Sequence, residues 1–153
     1  MWERLAKGEI DLISTDHAPS TLDQKFEGNI WDCPFGLPGV ETTLTMLLNA
    51  VAEERLTLEK VVQVYSETPA RLLGLYPRKG ALRIGSDADV VLVDTEQEHI
   101  LSNDNIISKA GWTPFDGRRV KGRPVMTMLR GQVVAENGKV VAEPGGGRFT
   151  IRR

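Results

Sequence analysis

Histidine and cysteine, the side chains that most often build metal centres, are scarce here: the chain has two histidines and one cysteine in 153 residues. A self-contained zinc site takes three or four protein ligands. His17 and His99 lie far apart, and no His-x-His, His-x-x-x-His or cysteine pair occurs. The chain cannot readily assemble such a site from its own residues. A single cysteine, Cys33, excludes an internal disulfide and suits a reducing compartment. It reads as a small buried hydrophobe rather than a nucleophile. Aromatics make up only 6%, net charge is −2 and there is no basic block, which argues against nucleic acid as a partner. Long apolar runs are missing too: charge interrupts every one, so no membrane span is expected. Met1-Trp2-Glu3-Arg4-Leu5 has no apolar signal-peptide core, and the expected location is cytoplasmic.

What is present is ordinary globular material, 41% apolar and 26% charged. A compact chain of this length could bury about 70% of its extended surface. Residues 2–7 read as the end of a helix closed by Gly8, and Ile10 to Thr15 as a short buried strand. Residues 18–39 form a long loop rich in Pro and Gly, and loops of that length inside compact domains are usually functional. Val40, Leu44, Leu47, Leu48 and Val51 recur at helical spacing, with Glu41, Thr45, Asn49 and Glu53 on other faces. A second helix starts near Thr57 and is expected to bury Leu58, Val61, Val62 and Tyr65. Thr68 is expected to cap a third, with Pro69 at its first position and Gly74 ending it.

From Gly80 onward the pattern becomes all β. Strands are expected at Ala81–Ile84, Asp89–Asp94, Val125–Leu129 and Gln132–Ala135. Asn137-Gly138 then turns the chain into Lys139-Val140-Val141, a strong hairpin signal. His99, in the polar run Glu96-Gln97-Glu98, reads as a surface residue. The expected organisation is therefore 1–79 strand plus helices, 80–143 β strands, and 144–153 a frayed tail. Neither half closes on itself, so the chain reads as the carboxyl-terminal part of something larger.

The chemistry concentrates in Leu12-Ile13-Ser14-Thr15-Asp16-His17-Ala18-Pro19, where an apolar strand runs into an acid and an imidazole before a proline stops it. In parallel α/β folds catalytic side chains gather at carboxyl ends of strands. Asp16 at that position can bind a metal, carry a proton, or simply cap free backbone N–H groups. Spacing leaves all three open.

Taken in order, the motifs resemble a known family. Ser14-Thr15-Asp16-His17-Ala18-Pro19-Ser20 with Lys25 is followed by Pro34-Phe35-Gly36-Leu37-Pro38-Gly39-Val40-Glu41-Thr42. Next come Pro69-Ala70-Arg71, Lys79-Gly80, Gly85-Ser86-Asp87-Ala88-Asp89, Ser108-Lys109, Thr113-Pro114-Phe115 and Gly122 to Thr127. Together they resemble the last third of the cyclic amidohydrolases, the dihydroorotase, allantoinase and hydantoinase group, with the longer bacterial dihydroorotases nearest.

The resemblance implies the C-terminal part of a metal-dependent (β/α)8 TIM barrel, an α/β fold, with part of a small β-sandwich beside it. Residues 10–16 would be the last barrel strand and residues 80–143 the sandwich strands. It implies hydrolysis of a ring C–N bond in a small cyclic amide or ureide. Zinc, two ions in the intact enzyme, would lower the pKa of a bound water to about 7. Asp16 would ligate metal and carry the proton to the departing nitrogen, and the backbone of Phe35 and Gly36 would meet the substrate ring. A homo-oligomer is implied for the full-length enzyme.

Two departures matter. Dihydroorotases place His after Ala-Pro, where it meets the substrate carboxylate, and this chain has Ser20. Serine donates a hydrogen bond but carries no positive charge, which favours a ring such as allantoin or a hydantoin. The family's remaining metal ligands have no counterpart here, so the chain alone is expected to be inactive. The rival reading is a non-catalytic scaffold derived from the same family.

Overall fold

The computed structural model describes residues 1–151. Its helices are α1 (Trp2–Lys7), α2 (Leu22–Phe26), α3 (Thr43–Ala52), α4 (Leu58–Val62) and α5 (Thr68–Leu72). Four strands follow, β1 (Val90–Ile100), β2 (Arg119–Leu129), β3 (Gln132–Glu136) and β4 (Lys139–Val140), in one antiparallel sheet of order β1-β2-β3-β4.

Three helical expectations need correction. Inside the 18–39 loop, α2 forms because Thr21 and Gln24 make a reciprocal capping box. Thr45 and Asn49 of α3 are buried rather than turned outward. Their face lies against β2, where the Asn49 amide oxygen accepts the Lys121 backbone N–H at 2.9 Å. The same amide donates to Glu53 at 2.8 Å, so its polar groups are satisfied inside. Finally, Thr68 caps nothing. α4 runs through a π-helical stretch, Gln63–Glu67, into α5 with helical backbone at both junctions.

Pro69 explains that π stretch. It has no N–H to give the Tyr65 carbonyl, and its ring crowds the preceding turn. The chain widens instead, and the Thr68 N–H bonds back to the Gln63 carbonyl. The Val64 carbonyl is thereby released from the helix, and it accepts the Ile13 N–H at 3.0 Å. A helical defect thus anchors residues 10–16. Val64 itself is 1% exposed and joins Leu5, Leu47, Ala50, Leu56 and Val61 in the main core. Val62 and Leu58, expected inside, are exposed, and the inward face carries Val61 and Val64 instead.

Residues 10–16 run extended but form no ladder. The one sheet-like contact near them, among the described residues, is a parallel bridge from His17, just past the segment, to Leu37. The expected strand at Ala81–Ile84 is also absent, with Ile84 fully exposed. Among the described residues no strand pairs with either segment, and an unpaired segment has no ladder to join.

The sheet itself is longer than its apolar runs. β1 continues past Asp94 through a bulge, where the Asp94 carboxylate accepts the N–H groups of Glu96 and Gln97 at 2.8 and 3.0 Å. β2 starts at Arg119 and carries Pro124 at its own irregularity, where no ladder N–H is needed. Asn137 and Gly138 both have positive φ, giving the two-residue hairpin turn the sequence predicts.

Gly122 is where helix meets sheet. A Cβ there would stand 2.7 Å from Leu48 Cβ, and its φ of 94° suits glycine alone. The helical and β segments therefore share a buried seam. Residues 40–65 bury one face against α1, residues 10–13 and β2.

Candidate active site

Asp16 stands exposed at the end of the extended segment with φ 44°, a left-handed conformation that Asp tolerates better than most residues. That backbone turn sets the residues following Asp16 against the second loop. The Ala18 N–H bonds to the Leu37 carbonyl at 3.2 Å. Gly36 lies so close to Ala18 that a Cβ on it would come within 2.3 Å of the alanine methyl. Glycine is required there both for this approach and for its φ of 84°. Gly36 is thus packed against Ala18, two residues beyond Asp16.

Side chains fasten this loop at several points. The Lys25 ammonium donates to the Gly36 carbonyl at 2.6 Å and also to the Pro34 carbonyl. The His17 Nδ1 accepts the Gly39 and Val40 backbone N–H groups at 3.0 and 3.2 Å. Backbone amides can only donate, so Nδ1 is unprotonated in this arrangement. The Glu41 carboxylate accepts the N–H groups of Ile107 and Ser108 at 2.9 and 2.8 Å, tying the loop to the segment between β1 and β2. From that same segment the Trp112 indole donates to the Ser20 carbonyl at 2.7 Å.

The expected contact residues differ in placement. Phe35 is 93% exposed, its ring free in solvent, while the next residue, Gly36, lies against Ala18. The Ser20 hydroxyl is buried and has no hydrogen-bond partner. Only its carbonyl is engaged, by Trp112. Of the supporting residues, Lys25 and Glu41 were visible as motif members, and His17 was visible but without a role. Trp112 gave no signal, because its partner lies 92 positions away.

Among the described residues no three His, Cys, Asp or Glu side chains converge to hold a metal. Asp16 provides one carboxylate, and one carboxylate does not make a zinc site. The donors present in this chain do not by themselves fit the metal that the resemblance implies. His99 is not the surface residue its polar run predicts. It is half-buried with Nδ1 out of reach of water and unpartnered, and burial together with the Arg123 charge pushes its pKa down. No described helix is long and apolar enough to cross a membrane.

Comparison with known proteins supplies the family. The amidohydrolase family model matches residues 1–134. An L-hydantoinase of Paenarthrobacter aurescens is 43% identical over 156 aligned residues, covering 100% of this chain and 34% of that protein. A dihydroorotase of Halobacterium salinarum is 44% identical over 145 residues, covering 95% of this chain and 34% of its own length. Among solved structures, a D-hydantoinase superposes with a TM-score of 0.93 at 34% identity, over 99% of this chain and 34% of the other. The chain belongs to the amidohydrolase family, within its cyclic-amide group. It spans about a third of the length of the relatives it matches.

Proposed function

We propose that this chain is the part of a cyclic-amide hydrolase that carries the proton-transferring carboxylate and one wall of the substrate site. The observation that carries this reading is Asp16, held in a left-handed turn beside a glycine-built loop. Residues 10–16 then act as the last strand of a TIM barrel, with Asp16 at its carboxyl end. The Asp16 carboxylate takes a proton from the attacking water as oxygen bonds to the ring carbonyl. It returns that proton to the ring nitrogen as the C–N bond breaks, which turns a poor leaving group into a neutral amine or amide. Main-chain groups of Phe35 and Gly36 meet the flat ring edge, whose alternating donors and acceptors they complement. In the intact enzyme Asp16 would be one ligand of a zinc ion whose other ligands lie outside these residues. Ser20 leaves no positive charge after Ala18-Pro19, so an uncharged ring such as a hydantoin is favoured over dihydroorotate.

The test joins residues 1–153 to the first two thirds of the Paenarthrobacter aurescens L-hydantoinase, replacing that enzyme's matching third. Ring opening of hydantoin, allantoin and dihydroorotate is then assayed with zinc present. Hydrolysis of an uncharged ring by the folded chimera is expected, and none by the 153-residue chain alone. A folded chimera that opens no ring amide would sink the reading.

A further inference from the structure

His17 does something that no motif explains. Its Nδ1 accepts two successive backbone N–H groups, those of Gly39 and Val40, at 3.0 and 3.2 Å. One ring nitrogen has one lone pair, so the two amides share it in a three-centre arrangement. Those amides lie where the loop turns into α3. The Gly39 carbonyl in turn accepts the Thr42 and Thr43 N–H groups at 3.2 and 3.1 Å, and the Thr43 hydroxyl at 2.8 Å. On its other side Gly39 is pressed against the extended segment, with a Cβ position 3.2 Å from the Thr15 carbonyl. The His17 backbone meanwhile pairs with Leu37. Residues 36–40 are therefore seated on residues 15–18 along their length, and the imidazole bolts down the end nearest α3. Lys25 holds the other end through the Pro34 and Gly36 carbonyls.

We infer that His17 is a positioning residue: its Nδ1 fixes the Phe35–Gly39 loop at a set height over the Asp16 strand end. The clamp stands on geometry alone, while its consequence for substrate rests on the function proposed above. If the loop's main-chain groups bind the ring, loosening the loop weakens ring binding more than it slows proton transfer at Asp16. An ordinary structural histidine would affect both alike or only stability.

Two variants separate these possibilities. Asn places its side-chain oxygen close to where Nδ1 stands, and Leu supplies comparable bulk with no acceptor. Hydrogen exchange is followed at the Gly39 and Val40 amides of the 153-residue chain. His17→Leu is expected to speed exchange there about tenfold, as loss of one shared acceptor implies, with the amides of Leu47 to Ala50 unchanged. His17→Asn is expected to restore slow exchange. In the chimera, His17→Leu should raise KM for the cyclic amide about tenfold while kcat stays within about threefold, and Asn should recover most of it. Unchanged exchange in His17→Leu overturns the clamp, and so does a fall in kcat with KM unmoved. An inactive chimera whose parent and variant chains still differ in exchange overturns the proposed function and leaves the clamp standing.

Discussion

The strand-end region, residues 10–42, and the sheet, residues 90–140, are held by opposite means. The sheet is a repeating backbone ladder in which each strand but the short β4 contributes several paired residues and no single side chain is decisive. The strand-end region has one isolated bridge and is fixed by individual side chains acting on backbone: Lys25, His17, Glu41 and Trp112. A ladder tolerates local damage because neighbouring bonds persist. A set of point clamps does not, but it leaves main-chain groups and an exposed carboxylate free to face a ligand. The proposed chemistry is assigned to the second kind of region for that reason.

The sharpest way to test the contrast is Asp16→Asn in the chimera. Asn also tolerates the left-handed turn, so the fold should be retained while the proton carrier is lost. Turnover is expected to fall on the order of a hundredfold or more, read by steady-state kinetics alongside an unchanged melting curve. Near-normal turnover would remove Asp16 from the chemistry.

Gly122→Ala attacks the sheet side where it meets α3. The new methyl would stand 2.7 Å from Leu48 Cβ on a backbone of φ 94°. Loss of about 1–3 kcal/mol in urea unfolding is expected from overpacking. A methyl at the exposed turn residue Gly117, where nothing lies within 4 Å, should cost less and serves as control.

Between the two regions, the Lys79 ammonium bonds the Asp87 carboxylate at 2.9 Å and also that of Asp89. The hydrogen bond from Lys79, aided by Arg78 and against the opposing effect of burial, holds Asp87 below its ordinary 3.8. A depressed carboxylate favours the fold above its unfolded value and loses that contribution as pH falls through the folded one. Lys79→Met should therefore lower the melting temperature at neutral pH and flatten the loss below pH about 4. Melts from pH 2 to 7 would show equal acid limbs if the cluster were inert.

The smallest effect concerns His99 in β1. Burial first, and then Arg123, lower its pKa, with a backbone bond at Gln97 opposing them. The unfolded chain takes up the proton first as pH falls, so the fold loses stability below about 6.5. His99→Gln should remove that slope between pH 5 and 7 in thermal melts and leave the strand-end region untouched. An unchanged slope would assign it to other groups.

Much of this was legible in residue order. Local signals gave α1 with its Gly8 end, the helix at Leu44–Val51, the Asn137-Gly138 hairpin and Asp16 at the end of an extended segment. These depend on contacts within a few residues, which propensity and periodicity report directly. The ordered motifs carried the family, since several spaced segments constrain more than any one. Other features were settled only by distant partners. The Asn49 side chain looks solvent-facing until β2 offers it the Lys121 N–H. The segment at Ala81–Ile84 has strand-forming residues but no strand to pair with. His17 reads as half of an Asp-His pair and becomes a clamp only when Gly39 and Val40 fold over it. Sequence alone thus determined which residues could do chemistry, because side-chain type and local backbone preference travel with the chain. The tertiary structure decided which of them stay exposed and which hold the others in place, because a hydrogen bond's strength depends on a partner that folding alone brings within reach.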